Sequence, residues 1–296
     1  MAKNWKGIFV ALTTPFVGEK ISTEKFKENI KKFNQTGLAG YVVSGSTGEA
    51  PFLDDEESLA LVKEAAKEAS SDKLVIAGTA RESAAWTISF TNTTAEAGAE
   101  AVLVRPPSYY KSRMNHEALR AYYLEVADRV KIPVIIYNIP QNTQVWLSVE
   151  LVVELSKHQN IIGLKESGGS IAFLGEVIKK LRSDFLYYSG SGSVLYSALE
   201  LGASGAILAV ANVAPEICVR LYELFVAGKK DEAREFQHKL IPLNRALTET
   251  YGIAAIKYAL DRRGFYGGPC RTPLLPPDDK VRVIIDSYLK ELKLIG

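Results

Sequence analysis

Along the chain, short apolar runs alternate with longer amphipathic stretches. The runs occupy residues 7–12, 40–44, 74–78, 101–104, 133–138, 161–165, 186–190 and 205–209, eight in all. They are rich in Val, Ile, Leu and Tyr and nearly continuous, as parallel strands covered on both faces are. Between them the spacing predicts helices. Phe26, Ile30 and Phe33 recur at helical intervals after the cap candidates Ser22 and Thr23. Asp54 and Glu57 have capping-box spacing ahead of Leu59, Leu61 and Val62. Segments 83–97, 115–130, 148–157 and 171–181 read the same way. Strand then helix, eight times over, predicts an α/β fold of the (β/α)8 TIM-barrel type ending near residue 228. Beyond it, 231–246, 252–263 and 277–292 read as helices, with a Gly/Pro-rich loop at 264–277. The expected division is a barrel carrying the active site over 1–228 and a C-terminal helical domain over 229–296. A doubly wound sheet would follow its first strand with a glycine fingerprint. Here that loop is Thr13-Thr14-Pro15-Phe16.

Composition narrows the chemistry. Of the 296 residues 47% are hydrophobic, which excludes a disordered chain. Lys and Arg total 36 against 34 Asp and Glu, a balance unlike that of a nucleic-acid binder. No apolar run reaches the roughly 18–20 residues of a membrane span, and the N-terminus lacks the apolar region of a secretory signal. Cys218 and Cys270 form no disulfide framework or CxxC pair. These features predict a cytoplasmic protein with neither nucleic acid nor membrane as partner. His116, His158 and His238 stand at no metal-ligand spacing, so neither a His-ligated metal nor a Ser-His-Asp triad is expected. Lys, Tyr, Ser, Thr or carboxylates must do the work.

In a barrel, active sites lie at the C-terminal strand ends. The sixth run reads Ile161-Ile162-Gly163-Leu164-Lys165-Glu166-Ser167-Gly168-Gly169. Alternation puts Lys165 on one face with Gly163, and the glycine is expected to open room beside it. An amine in a tight, poorly hydrated mouth can attack a carbonyl and form a Schiff base; the plainer reading is a lysine emerging into water. Tyr137 sits at the C-terminal end of the fifth run, in Tyr137-Asn138-Ile139-Pro140. Its phenol suits proton transfer to a carbonyl or carbinolamine oxygen, against the plainer reading of a core aromatic. After the second run, Ser44-Gly45-Ser46-Thr47-Gly48-Glu49 offers backbone amides to a carboxylate or oxyanion. After the fourth come Arg105-Pro106-Pro107-Ser108-Tyr109-Tyr110, two phenols suited to a subunit interface. Ser189-Gly190-Ser191-Gly192-Ser193 after the seventh is a second cradle of small residues, where barrels often hold phosphate.

Three of these segments in order, Gly45-Ser46-Thr47-Gly48-Glu49, Tyr137-Asn138-Ile139-Pro140 and Gly163-Leu164-Lys165-Glu166-Ser167, resemble the dihydrodipicolinate synthase / N-acetylneuraminate lyase family of class I aldolases. The resemblance covers nearly the whole chain. It implies a Schiff base between Lys165 and pyruvate or another 2-oxo acid, with no metal or other cofactor. It also implies proton transfer by Tyr137, and Thr47 linking Tyr137 to a Tyr109 supplied across a tight dimer interface, with Tyr110 as the substitute. Ser46 and Thr47 would hold the substrate carboxylate, and Ser167, Gly190 and Ile207 would line the pocket. A homo-oligomer built as a dimer of dimers is implied as well.

Within that family, synthases carry an arginine two residues after the Tyr-Asn-x-Pro motif to hold the semialdehyde carboxylate. This chain has Asn142 there, which offers no guanidinium fork. Ser58, Glu82 and Trp86 stand where the family's lysine-feedback site has His, Asn and Glu. Other stretches resemble mitochondrial-type 4-hydroxy-2-oxoglutarate aldolases, most distinctively Tyr266-Gly267-Gly268-Pro269-Cys270-Arg271. Thr47 and Gln144-Val145-Trp146 depart from that pattern. The expected activity is therefore cleavage of a 4-hydroxy-2-oxo acid, such as 4-hydroxy-2-oxoglutarate, to pyruvate and an aldehyde. The alternatives are 4-hydroxy-tetrahydrodipicolinate (dihydrodipicolinate) synthesis or cleavage of a 2-keto-3-deoxy sugar acid. From another class, a non-catalytic barrel binding a 2-oxo acid would use the same glycine loops.

Overall fold

The computed structural model describes residues 4–296. Eight parallel strands close into a barrel: β1 (Gly7–Ala11), β2 (Gly40–Val43), β3 (Leu74–Gly78), β4 (Ala101–Val104), β5 (Val134–Asn138), β6 (Ile161–Glu166), β7 (Leu186–Ser189) and β8 (Gly205–Leu208). Each coincides with one apolar run to within a residue at either end. The barrel closes where β1 pairs with β8, Gly7 opposite Gly205. A Cβ on Gly205 would lie 1.9 Å from the Gly7 carbonyl oxygen, so only glycine permits the seam.

Helices return the chain between strands: α1 (Thr23–Phe33), α2 (Asp55–Glu68), α3 (Ala84–Glu96), α4 (His116–Arg129), α5 (Val149–Leu155), α6 (Ile171–Ile178), α7 (Leu195–Glu200) and α8 (Pro215–Val226). Ser22, Asp54, Ser83, Asn115, Ser148 and Ser170 each cap a helix by accepting a backbone N–H. The Asp54–Glu57 capping box is complete. A short antiparallel ribbon, Phe16–Val17 with Lys20–Ile21, interrupts the loop after β1; its two-residue strands left no periodic trace in the sequence.

Alternation along the strands divides the core. Ile8, Val10, Tyr41, Val43, Val75, Ala77, Val102, Val104, Ile136 and Leu164 face the helices. Phe9, Ala11, Val42, Leu74, Ile76, Leu103, Ile135, Tyr137, Tyr188 and Ile207 fill the lumen. After α8 come α9 (Lys230–Asn244), a π-helical turn (Arg245–Thr250), α10 (Gly252–Arg262) and α11 (Asp279–Glu291). The sequence places helices there but gives no sign of the π turn. Among the described residues, no helix is long and apolar enough to cross a membrane.

Candidate active site

Strand register places the two central groups. Tyr137 on β5 is the direct partner of Lys165 on β6. Both therefore face the lumen at the C-terminal ends of their strands, and both are buried. The Lys165 Nζ lies 4.3 Å from the centre of the Tyr137 ring. Gly163 does not serve to open room beside Lys165, as its position in the sequence suggests. A Cβ there would meet the Leu186 carbonyl oxygen at 2.8 Å, so the glycine admits the neighbouring strand β7 instead.

Above this pair opens a cavity of about 730 Å³, lined by Ser46, Thr47, Tyr137, Asn142, Lys165, Ser167 and Gly190 among others. Two expected residues stand elsewhere. Ile207 is fully buried in the lumen beneath the cavity, and Ala209, one strand repeat higher, takes its place on the wall. Tyr109 is 78% exposed and lies outside the cavity, as does Tyr110, its edge-to-face partner at 5.0 Å.

The loop after β2 forms a tight 3-10 turn, Ser46–Gly48. As the first residues of that turn, Ser46 and Thr47 leave their N–H groups without a partner inside it. Unpaired amides beside a lysine suit a carboxylate. Thr14 fixes the turn from below, its hydroxyl donating to the Gly48 carbonyl at 2.6 Å.

Glu166, next to Lys165 but on the opposite face, organises the far wall. Its carboxylate accepts the N–H of Gly168 at 2.6 Å and of Gly169 at 3.0 Å. Burial pushes this carboxyl above its ordinary range, while those N–H groups and Asn138 act against the rise. Gly190 closes against the same wall, its N–H donating to the Glu166 carbonyl at 2.6 Å.

Sequence reasoning missed a whole side of the cavity. Leu247, Thr248 and Glu249 from the π turn and Gly252, Ile253 and Ile256 of α10 all line it. Pro242 sits inside α9, one turn before the helix widens into the π turn. Such widenings frequently occur at functional sites, and Pro242 is the one sequence signal that could have flagged this one.

Among the lining residues Lys165 is the only base, Glu249 the only acid and Tyr137 the only phenol. Among the described residues no group of three His, Cys, Asp or Glu side chains is placed to hold a metal ion. His116 and His158 instead pair with Glu154 and Asp128 on the surface.

The model of the dihydrodipicolinate synthetase family matches residues 4–292. Relatives include the 4-hydroxy-tetrahydrodipicolinate synthases of Thermoanaerobacter pseudethanolicus, 33% identical over 98% of both chains, and of Methanothrix thermoacetophila, 34% identical over 97% of both. Among solved structures, the dihydrodipicolinate synthase of Aquifex aeolicus superposes with a TM-score of 0.93 at 31% identity, covering 98% of this chain and 99% of that one. That of Thermotoga maritima gives 0.94 at 28% identity over the same shares. These relatives bear the synthase name, the alternative reading of the sequence, and not that of a 4-hydroxy-2-oxoglutarate aldolase.

Proposed function

Because the chain belongs to the dihydrodipicolinate synthetase family of lysine-dependent carbon–carbon lyases and synthases, we propose that it makes or breaks a carbon–carbon bond at C3 of pyruvate held on Lys165. The observation that carries this is the register pairing of Lys165 with Tyr137 under a cavity lined by the Ser46–Thr47 turn. The Lys165 amine adds to the keto carbon, and Tyr137 passes a proton to the carbinolamine oxygen, which leaves as water. The resulting imine is an electron sink: loss of a C3 proton gives an enamine, whose C3 attacks an aldehyde carbon as the aldehyde oxygen takes up a proton. Hydrolysis of the imine frees Lys165. The reverse sequence cleaves a 4-hydroxy-2-oxo acid. In either direction the Ser46 and Thr47 amides hold the pyruvate carboxylate, and no metal or further cofactor is required.

For the aldehyde partner, the relatives' names support condensation with aspartate semialdehyde, whose amino group then displaces the Lys165 amine from the imine carbon in place of water and closes the ring of 4-hydroxy-tetrahydrodipicolinate. Asn142 supports the second reading, cleavage of 4-hydroxy-2-oxoglutarate. It lines the cavity where synthases of this kind carry an arginine, and no arginine is among the lining residues. Assaying both substrates side by side tests the choice: turnover of the semialdehyde alone supports the synthase, pyruvate release from 4-hydroxy-2-oxoglutarate alone supports the aldolase, and turnover of neither refutes both.

A dimer of dimers in a reducing, cytoplasmic setting belongs to the same proposal. The exposed Tyr109–Tyr110 pair suits a subunit interface, and two free cysteines suit the compartment. Barrel and C-terminal helices are proposed as the two domains, dividing near residue 228.

A further inference from the structure

Glu49 ends the turn that carries Ser46 and Thr47, and its backbone is left-handed, φ 59° and ψ 31°. A non-glycine residue keeps that conformation only where its surroundings impose it. Its carboxylate is buried. One oxygen lies 2.5 Å from the Lys257 Nζ on α10, and the other accepts the Arg271 N–H at 2.9 Å. Lys257 also donates to the Pro269 carbonyl at 2.7 Å and stacks over the Phe16 ring, 4.5 Å from its centre. The Arg271 guanidinium grips both oxygens of Glu57, at 2.8 and 2.6 Å, and donates to the Phe52 carbonyl just beyond the turn. Gly267 is pressed onto α10 at Lys257 so closely that a Cβ would lie 1.9 Å from the Lys257 carbonyl oxygen.

Two partners separated by 208 positions thus form a fully buried ion pair, in a family of contacts that all converge on one turn. Desolvation makes such a pair a poor source of net stability, since apolar side chains of equal volume serve as well. What the pair supplies that apolar packing does not is direction. One residue before Lys257, Ile256 lines the cavity wall. The same helix therefore walls the site and grips the loop across from it.

We propose that the Lys257–Glu49 pair positions the Ser46 and Thr47 amides, so that the C-terminal segment sets the affinity of the site for the carboxylate of its 2-oxo acid. This rests on the reading of the site as a pyruvate imine centre. Lys257 and Glu49 are positioning residues and touch no substrate.

The test uses the full chain with pyruvate and borohydride, following the rate of imine trapping against pyruvate concentration. Lys257→Met and Glu49→Gln are each expected to raise half-saturation about 10-fold, within the range coupled neighbours show. The trapping rate at saturating pyruvate should stay within about 3-fold of the parent, because Lys165 is untouched. The double variant leaves no buried charge unpaired. It should fall between the singles and the parent, and it carries the comparison if a single variant does not fold. Half-saturation equal to the parent in Glu49→Gln and in the double variant, with only the melting temperature lowered, overturns the proposal. Absence of trapping in the parent overturns the imine reading itself, and this inference with it.

Discussion

Replacing Gly190 by alanine isolates the contribution of wall geometry to the reaction. An added Cβ would lie 1.9 Å from the Ser167 hydroxyl oxygen, 2.8 Å from the Glu166 carbonyl oxygen and 2.9 Å from the Ser167 Cα. The hydroxyl can rotate away; the two backbone atoms cannot. They are pinned by the 2.6 Å hydrogen bond from Gly190 N–H to that same Glu166 carbonyl and by the 2.9 Å bond from Ser167 N–H to the Asn138 carbonyl. Ordinary contact begins near 3.4 Å, so Ser167 must move by several tenths of an ångström. Overpacking of this kind costs about 1–3 kcal/mol, which in a chain this long lowers the melting temperature by a few degrees. The catalytic cost is larger in proportion. Misplacing a reacting group by ~1 Å can cost ~10²-fold, so a drop of roughly 10-fold or more in kcat/KM is expected. Gly175→Ala on α6 is the control, since its Cβ would meet only the Leu201 Cδ1, at 3.9 Å. It should leave kinetics unchanged and raise stability by about 0.5–1 kcal/mol. Steady-state kinetics and thermal melts on both variants make the comparison. Full activity in Gly190→Ala refutes the reasoning that displacing Ser167 from this wall impairs the reaction.

Further outcomes follow from other parts of the site. Tyr137→Phe should lose about 10²-fold or more in kcat, the usual size for a removed proton-transfer group, while its melting curve stays near that of the parent. Asn142→Arg should improve aspartate semialdehyde condensation by roughly 10- to 10²-fold, the worth of a charged hydrogen bond, as read from kcat/KM for the semialdehyde. Arg271 holds the Glu57 carboxyl below the usual range. A depressed carboxylate contributes stability above its unfolded pKa of about 4.3 and loses it as pH falls through the folded value. Melting temperature should therefore fall in acid below about pH 4.3, and Glu57→Gln should flatten that part of the profile.

The barrel was legible because its strands are largely buried on both faces and six of its eight helices carry a side-chain cap, so element type was written locally. Lys165 and Tyr137 were legible for a related reason: they end apolar runs, and strand ends of one polarity form the mouth. What escaped was set by pairings distant in sequence or by departures from regular period. Ile207, implied by the family resemblance, lies buried in the lumen, and Ala209, two strand residues or ~6.6 Å further on, lines the cavity. Gly163 answered to the approach of β7, which its own strand does not reveal. The π turn has no periodic signature, so the wall from Leu247 to Ile256 stayed hidden. The clasp of Lys257 on Glu49 links residues that no local pattern connects. Tyr109 stands outside the cavity of a single chain, and its expected role depends on a second one.

The proposed chemistry requires that Lys165 carry the substrate as an imine. Borohydride reduction in the presence of pyruvate, followed by peptide mapping with mass spectrometry, tests it directly. One reduced pyruvyl adduct is expected, located on Lys165 and absent from Lys165→Ala. An adduct on another lysine, or none in the unaltered protein, would contradict it.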